Sequence, residues 1–272
     1  MKDVNGTGMK RAALLNDYSC FGKCSLSVSV PILSGYGVEA VALPTALLST
    51  HTGGFDGYVV RDLTEEMKQF AEHWKKLHLK FDCIYTGFFL SVEQIEFAKQ
   101  FIRDFAGPDT RILVDPVLGD NGSLYGCFTP DFIPAMRELA GMADIITPNR
   151  TEAALLAGLP LSTDDETLLR ALPAFEAVIT SIEHGGSIGY LARLKAGDLL
   201  RVEKEKIDIT LHGAGDVFAS SLCGELLNGA DTRMALVRAA AFCDDCIYAT
   251  RQRQSAHWYG LAFEDELKRR SL

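Results

Sequence analysis

The stretch ITLHGAGDVFASSLCGELLNG, residues 209–229, places three small residues in front of an acidic residue at the start of a helical pattern. Glycine permits a tight turn and lets another molecule approach the backbone closely. The first turn of a helix has free N–H groups and partial positive charge, so it stabilises an Asp and also binds anions. The turn Gly213, Ala214, Gly215 followed by Asp216 therefore favours either a capped helix start or a catalytic carboxylate beside an anion hole.

Short apolar runs alternate with longer amphipathic runs on both sides of this stretch. RAALLN at 11–16 predicts a buried strand, and two long helices are expected near 216–227 and 232–250. This alternation predicts the α/β class, with a mostly parallel central sheet and helices on both faces. No linker or repeat divides the chain, so we expect a flexible leader over 1–9 and a single domain over 10–272.

The composition narrows the class of partner. The chain has 272 residues and a formal net charge of -9, which argues against a nucleic-acid partner but not against a phosphorylated ligand. Its seven cysteines do not form the paired CxxC motifs of a zinc site, and free thiols suit a reducing cytoplasm. No apolar run approaches the roughly 18 residues of a membrane span, so we expect a cytoplasmic protein without a membrane partner.

Polar or glycine-bearing segments follow each predicted strand. In open α/β sheets, ligands bind beyond the carboxyl ends of the strands. Turn chemistry explains part of the pattern, because strand-to-helix turns favour Gly, Asn, Asp and Thr. The density of carboxylates and amides is higher than turns alone require, which favours a binding site at this edge. The segments are NDYSCFGKC, PTALLSTHTGGF, TGFFLS, DPVLGDNG, TPNRTE, TSIEHGG and HGAGD.

Taken in order, six motifs resemble the ribokinase-like small-molecule kinases and, among them, the pyridoxal kinases: LPTALLSTHTGGF, TGFFLS, VDPVLGD, ADIITPNRTEAALLAG, AVITS and HGAGDVFASS. The GAGD turn is typical of the whole superfamily, whereas LSTHTGGF with DPVLGD and ITPNRTEAALL points to the vitamin B6 branch. The resemblance covers roughly residues 10–250. It implies a single ribokinase-like domain with a small substrate flap, commonly a homodimer. It also implies ATP and Mg2+ as cofactors and a B6 vitamer as substrate, and it leaves a monovalent cation open.

Phosphoryl transfer needs an activated alcohol and stabilisation of the charge on the moving phosphoryl group. The resemblance implies Asp216 as the general base and the N–H groups of Gly213, Ala214 and Gly215 as the anion hole. Relatives commonly have Thr in the middle of this turn, and Ala214 keeps the N–H group while losing the hydroxyl. A branch of related bacterial kinases has Cys at the position of Asp216. The Asp here predicts direct base catalysis without a covalent thiol step.

The nucleotide side is predicted at three other strand exits. Glu152 lies three residues after Asn149, so it either caps a helix or acts on Mg2+ and phosphate through water. Asp115 either forms a turn or lies near the phosphates and the metal. The resemblance implies a nucleotide-binding set of Asp115, Thr147, Asn149, Glu152, Thr180 and Ser181, with Glu152 and Asp115 also on the metal.

The substrate side is predicted at Asp17, Thr45, His51 and Phe128. Many relatives have Ser where this chain has Asp17, and an Asp there favours a protonated ring nitrogen or an amine-bearing substrate, unless it bonds only its own turn. His51 lies in the predicted flap, residues 46–57, whose two adjacent glycines suit a hinge. Phe128 is expected to close over the substrate from the loop after Asp115.

Other functions remain open on the sequence. A hydroxymethylpyrimidine kinase of thiamine synthesis is the nearest alternative, since it has the same fold and chemistry. A non-catalytic vitamer-binding protein has no need of a base at Asp216. A sugar kinase would carry longer lid insertions between the first three strands. The absence of GxGxxG after the first strand argues against an NAD-dependent oxidoreductase.

Overall fold

The computed structural model of the chain describes residues 5–6, 8–207, 211–253 and 258–270. Strands and helices alternate along most of these residues. The strands are β1 Arg11–Phe21, β2 Glu39–Thr50, β3 Val60–Asp62, β4 Cys83–Thr86, β5 Arg111–Val114, β6 Gly119–Asp120, β7 Ser123–Leu124, β8 Ile145–Ile146, β9 Glu176–His184, β10 Ser187–Arg193 and β11 Leu199–Glu205. The helices are α1 Leu26–Gly35, α2 Thr64–Lys76, α3 Val92–Phe105, α4 Phe132–Ala140, α5 Arg150–Ala157, α6 Asp165–Ala171, α7 Ala214–Leu227, α8 Thr232–Gln252 and α9 Phe263–Arg270.

A nine-stranded sheet in the order β11-β10-β9-β8-β5-β4-β1-β2-β3 forms the centre of the fold. The strands from β2 through β1, β4, β5 and β8 to β9 pair in parallel. The three outer strands β3, β10 and β11 pair antiparallel. The predicted α/β class with a mostly parallel sheet is confirmed. Because the parallel strands end at the same edge, the loops that follow them gather there.

The first strand shows why both faces of the sheet are buried. Successive side chains of a strand point to opposite faces. Ala13 and Leu15 belong to one apolar cluster, which also contains side chains from α2 through α6. Ala12 and Leu14 belong to a second cluster with side chains from α1, α7, α8 and α9. Helices therefore cover both faces, as expected for a parallel sheet.

The structure adds elements that the sequence pattern does not predict. The hairpin of β6 and β7 and the helices α6 and α9 are examples. The segment FEDELKRR of α9 is strongly charged, and tertiary packing positions it, since Leu267 lies close against Gly35 of α1. The run ADIITPN predicts a longer strand than the two residues of β8. The cysteines Cys243 and Cys246 are buried thiols in α8, as their spacing predicts.

Parts of two predicted segments lie outside the described residues. Residues 1–4 and 7 of the leader are not described. Residues 208–210 are not described either, and the last two of them begin the stretch 209–229. Within the leader, Asn5 donates to the carbonyl of His78 at 2.9 Å and accepts from the N–H of Lys80 at 3.1 Å, so this residue is attached to the domain. The leader boundary stays a prediction. In the part of the chain that the structure describes, the helices are too short or too polar to cross a membrane.

Candidate active site

The turn before α7 lies at the carboxyl edge of the sheet and fixes the start of that helix. Gly213 is the N-cap and has a left-handed backbone, φ 81°. A Cβ atom there would come within 2.0 Å of the Lys23 carbonyl oxygen, so only glycine fits without a shift. Gly215 is exposed, and a Cβ there would meet only Asp115 at 3.9 Å. The turn thus leaves room for a ligand against the free N–H groups of the helix.

Asp216 lies in the first turn of α7, in a cleft where its side chain keeps partial exposure while protein atoms replace most of the bulk water. This burial raises the pKa of Asp216 to about 7. Contacts with the Ser25 backbone and the Asn16 side chain favour the charged form, whereas the charge of Asp17 opposes it. A carboxylate with a pKa near 7 suits a general base at neutral pH.

Asn16 is a site residue that the sequence analysis does not single out. Its side-chain oxygen accepts from the N–H groups of Phe88 at 2.7 Å and Asp17 at 3.0 Å. These two bonds fix the amide orientation and leave its NH2 group as the donor towards Asp216. The only sequence signal for this role is the position of Asn16 directly before Asp17, in the motif NDY at the end of the first predicted strand.

Asp115 and Thr147 come together at the exits of β5 and β8. The Thr147 hydroxyl donates to Asp115 at 3.2 Å. Burial raises the pKa of Asp115 well above its usual range, and the nearby charges of Glu152 and Asp216 raise it further. The predicted nucleotide-side carboxylate is therefore close to the predicted base.

Glu152 and Asn149 form a complete capping box at the start of α5. Asn149 accepts from the Glu152 N–H at 2.9 Å, and Glu152 accepts from the Asn149 N–H at 2.8 Å. Glu152 also accepts from the N–H of Leu118 at 3.0 Å, and burial raises its pKa to about 7. Glu152 is thus a helix cap by geometry, and its carboxylate also faces the acidic cluster with Asp115.

The three carboxylates of Asp115, Glu152 and Asp216 fit a hard cation in their chemistry. Carboxylate oxygens are the usual protein ligands of Mg2+, which keeps several waters and binds substrate phosphates. In the described ranges, no three His, Cys, Asp or Glu side chains converge closely enough to hold a metal by themselves. Burial and the charges of Glu152 and Asp216 raise the pKa of Asp115, and a cation held through water and phosphate would offset the repulsion between these carboxylates.

Thr180 and Ser181 lie at the end of the parallel region of β9. Thr180 pairs with Asn149 in a parallel bridge, and its N–H donates to the Pro148 carbonyl at 2.9 Å. Ser181 has a positive φ of 57°, an unusual backbone for a residue other than glycine. Both residues line the same cavity as the turn before α7.

That cavity has a volume of about 430 Å3 and is the best candidate for a nucleotide site. One part of its wall is the turn residues Ala214 and Gly215. Another part is apolar and comes from three separate chain segments, represented by Leu211, Ile247 and Tyr248. No sequence motif predicts this apolar wall, because the residues that form it lie outside the motifs at the strand exits.

Asp17 and Thr45, two residues of the predicted substrate side, are both buried. The hydroxyls of Ser19 and Ser25 both donate to Asp17, which is 4% exposed. Burial raises the pKa of Asp17. Thr45 donates its hydroxyl to the carbonyl of Phe88 at 2.9 Å. The structure thus gives both predicted substrate residues internal partners, and their contact with a substrate stays a prediction.

His51 uses both ring nitrogens to hold the flap. Nδ1 accepts from the Gly53 N–H at 3.2 Å, so the ring is neutral with its proton on Nε2, which donates to the Tyr259 carbonyl at 3.0 Å. Burial lowers the pKa of His51, in agreement with this neutral form. Only its ring face and C–H edges remain for a substrate, and contact of His51 with a substrate stays a prediction.

An aromatic cluster covers the flap. The rings of Phe55, Trp258 and His212 surround His51, with centroids 4.9 Å, 6.4 Å and 5.0 Å from it. Gly53 packs closely on the His212 ring. His212 directly precedes the turn before α7, so the flap contacts that turn through side chains the sequence analysis leaves unassigned. The expected flap comprises the end of β2 and the loop towards β3.

Phe128 lies in the apolar core. It is 8% exposed, stacks on Phe132 with ring centroids 4.5 Å apart, and packs near Phe88 at 5.6 Å. Any movement of Phe128 onto a ligand stays a prediction.

Residues 32–260 of the chain match the protein family described as phosphomethylpyrimidine kinase. A crystal structure from Bacteroides thetaiotaomicron, described provisionally as a phosphomethylpyrimidine kinase and crystallised with pyridoxal, is 37% identical, with a TM-score of 0.91 over 97% of this chain and 96% of that chain. The pyridoxal kinase of Lactobacillus plantarum is 33% identical, with a TM-score of 0.88 over 96% of both chains. The curated pyridoxine/pyridoxal/pyridoxamine kinase of Bordetella bronchiseptica is 28% identical over 85% of this chain and 86% of that protein. The expected resemblance to ribokinase-like pyridoxal kinases is confirmed.

Proposed function

The chain belongs to the phosphomethylpyrimidine kinase family, and we propose that it transfers the γ-phosphoryl group of ATP to the hydroxymethyl group of a vitamin B6 vitamer. That it is a kinase follows from the family and from its pyridoxal kinase relatives. The vitamer, the nucleotide and the residue roles are the proposal.

One observation carries the mechanism. Asp216, with its pKa raised to about 7 by burial, lies in the first helical turn beside the open N–H groups of Ala214 and Gly215. A base accepts a proton from an alcohol, and the N–H groups stabilise charge that develops on the phosphoryl group. Both requirements of phosphoryl transfer meet at one helix terminus.

In the proposed reaction, the alcohol oxygen loses its proton and gains the phosphoryl group. Asp216 takes the proton of the substrate alcohol, whose oxygen attacks the γ-phosphorus, and the bond from that phosphorus to the bridging oxygen of ATP breaks. The Asn16 amide and the Ser25 backbone hold the Asp216 carboxylate in place. Asp115 and Glu152 would hold Mg2+ through water and phosphate oxygens, and the ion would neutralise charge on the phosphates.

The cavity of about 430 Å3 supports the nucleotide assignment. Phosphates would lie against Thr180, Ser181 and the turn before α7. The apolar wall with Ile247 and Tyr248 would contact the base, because a flat aromatic base prefers apolar surroundings. A monovalent cation stays an open part of the proposal.

Two observations favour a B6 vitamer as the alcohol. The Bacteroides thetaiotaomicron relative was crystallised with pyridoxal, and the Lactobacillus plantarum relative is a pyridoxal kinase. The buried carboxylate of Asp17 lies near Asp216 and supports a ligand with positive charge, such as a protonated pyridine or an amine. Hydroxymethylpyrimidine is the second candidate, because the family description names its phosphate.

A homodimer is also part of the proposal. Large apolar side chains lie exposed at the edge of the sheet formed by the end of β1, β2 and the segment before β3, and they are Tyr18, Phe21, Leu47, Tyr58 and Val59. An exposed apolar patch of this kind favours contact with a second copy. Light scattering after size-exclusion chromatography would give twice the 29.7 kDa chain mass, and a monomer mass would refute the dimer.

We also propose a reducing, cytoplasmic location, which the free state of the seven cysteines supports and cell fractionation would test.

The test of the activity is identification of its product. Purified protein incubated with MgATP and pyridoxal should yield pyridoxal 5′-phosphate and ADP, detected by mass spectrometry. Asp216→Asn should yield neither at a comparable rate, which excludes a contaminating kinase. Absence of any phosphorylated product from every B6 vitamer would overturn the proposal.

A further inference from the structure

Two hydroxyls buried beneath the acidic cluster contact each other but make no hydrogen bond of good geometry with any described residue. They are Tyr85 Oη and Ser220 Oγ. Tyr85 is 2% exposed and Ser220 is fully buried. A buried hydroxyl without a partner is destabilising, so native structures rarely contain two close together without a water or a ligand.

The register of α7 against β4 places these hydroxyls side by side. Asp216, Ser220 and Cys223 lie on one face of α7, because they are separated by four and three residues. Cys83 and Tyr85 share one face of β4. The sulfur atoms of Cys83 and Cys223 are 3.5 Å apart, which fixes the lower end of this row. Tyr85 therefore lies beside Ser220 and one step closer to Asp216.

Asp115 completes the surroundings of the two hydroxyls. Tyr85 is the register partner of Leu113 on β5, and Asp115 lies two residues further on the same face. Asp115 Oδ1 accepts from Thr147, whereas Oδ2 has no hydrogen-bond partner within the described part of the chain. Burial raises the pKa of Tyr85, the charges of Asp115 and Asp216 raise it further, and the contact with Ser220 opposes this rise, so the phenol lies within the field of both carboxylates and next to Ser220.

We infer that Tyr85 is a positioning residue, which with Ser220 holds one buried water molecule that donates a hydrogen bond to the Asp115 carboxylate. A buried water needs about two to four polar partners, and these three groups supply two donors and one acceptor. Both hydroxyls donate to the water, and the water donates to Oδ2. This contact fixes the orientation of Asp115, whose Oδ2 faces Gly215 at the start of α7. The inference rests on the proposed function, because Asp115 acts on the metal and phosphates there.

A crystal structure that resolves ordered water tests the contact directly and needs no activity. We expect one water within hydrogen-bond distance of Tyr85 Oη, Ser220 Oγ and an oxygen of Asp115. An empty space, or a water that contacts the hydroxyls without reaching Asp115, would overturn the inference. This result stands even if the protein phosphorylates no B6 vitamer, so the two proposals fail separately.

The variant Tyr85→Phe tests the consequence. With the proposed substrates, kcat should fall about three- to tenfold, as for loss of one hydrogen bond, and half-saturation by Mg2+ should need a higher concentration. KM for the alcohol should not change. Because the hydroxyl has its water partner in the native protein, Tm should not rise. A higher Tm with unchanged kcat and Mg2+ dependence would mean that Tyr85 Oη is merely an unpaired buried group.

Tyr36→Phe is the matched control. Tyr36 Oη and Ser221 Oγ are 2.6 Å apart, so this variant also removes a tyrosine hydroxyl that contacts α7, on another side of the helix. It should lower Tm and leave kcat and the Mg2+ dependence unchanged. Ser220→Ala should change both kinetic parameters in the direction of Tyr85→Phe. A Ser220→Ala variant that matches the wild type in both would contradict a shared water.

Discussion

A side chain at Gly213 would collide with the backbone of Lys23, since a Cβ atom there would lie 2.0 Å from the Lys23 carbonyl oxygen. This contact joins the turn before α7 to the loop between β1 and α1, which contains Lys23 and Ser25. The shape of the proposed anion hole therefore depends on two segments that are distant in sequence.

Gly213→Ala should lower both Tm and kcat, because the new methyl group moves the turn away from Lys23 and displaces its N–H groups. We expect a loss of about 10²-fold or more in kcat, as for loss of an oxyanion donor. Gly229→Ala is the control, because Gly229 also has a positive φ, 90°, but has open space around it. Gly229→Ala should lower Tm, because alanine is strained at a positive φ, and should leave kcat unchanged. Equal kinetic effects of the two variants would contradict the role of the Lys23 contact.

Asp216→Asn should lose about 10²–10⁴-fold in kcat while binding both substrates with nearly unchanged Kd, because the amide cannot accept the alcohol proton. A kcat close to the wild type would refute the assignment of the base. The same substitution should increase the free energy of unfolding at neutral pH, although it lowers kcat. Burial raises the pKa of Asp216 to about 7, so the native state disfavours the charge that the unfolded chain carries above its ordinary pKa of 3.8.

The sign of this stability effect can be followed with pH. The wild type loses stability as pH rises from about 4 to 7, and each unit of pKa shift corresponds to about 1.4 kcal/mol. Relative to the wild type, the free energy of unfolding of Asp216→Asn should therefore increase over this range and level off above pH 7. Denaturant titrations at several pH values measure the difference. A difference independent of pH would contradict the desolvated carboxylate.

Glu152→Gln should raise the Mg2+ concentration needed for half-maximal rate. The amide keeps one acceptor oxygen for the capping box and removes the charge from the acidic cluster with Asp115. Asp231→Asn is the control, because Asp231 caps α8 by accepting from the Met234 N–H at 2.8 Å outside the site. Metal titrations of Glu152→Gln that superimpose on those of the wild type would leave Glu152 as a cap alone.

The flap over residues 46–57 should exchange its backbone hydrogens more slowly when a vitamer and a nucleotide analogue are both bound. Its loop is held by the ring of His51 and the Tyr259 carbonyl, contacts that closure over a substrate would keep formed. Hydrogen–deuterium exchange with mass spectrometry measures this, with α3 as an internal reference. Exchange in the flap that does not respond to the two ligands would refute a lid role.

Residue types at the strand exits are enough to predict much of this site. Each exit carries a small polar motif, and the parallel sheet brings Asp115, Thr147, Glu152 and Asp216 to one edge. Single side-chain orientations are not predictable in this way. The neutral tautomer of His51 depends on a carbonyl that lies 208 residues later in the chain.

The structural features that the sequence motifs do not predict share one physical cause. The apolar wall of the cavity, with Leu211, Ile247 and Tyr248, comes from separate segments whose residues also suit an ordinary core. Helix α9 is positioned by tertiary contacts of a charged segment. In each case the deciding interaction is between residues far apart in sequence, which local patterns do not record.

The central claim is that a B6 vitamer is the alcohol phosphorylated at Asp216. The most direct measurement is kcat/KM for pyridoxal, pyridoxamine, pyridoxine and hydroxymethylpyrimidine, each determined from ADP release in a coupled assay with the wild type and with Asp216→Asn. The account predicts that at least one B6 vitamer exceeds hydroxymethylpyrimidine in kcat/KM, because buried polar groups such as Asp17 and Thr45 discriminate through hydrogen bonds that are costly to leave unpaired. It also predicts that Asp216→Asn loses this activity. A clear preference for hydroxymethylpyrimidine over every B6 vitamer would contradict the claim.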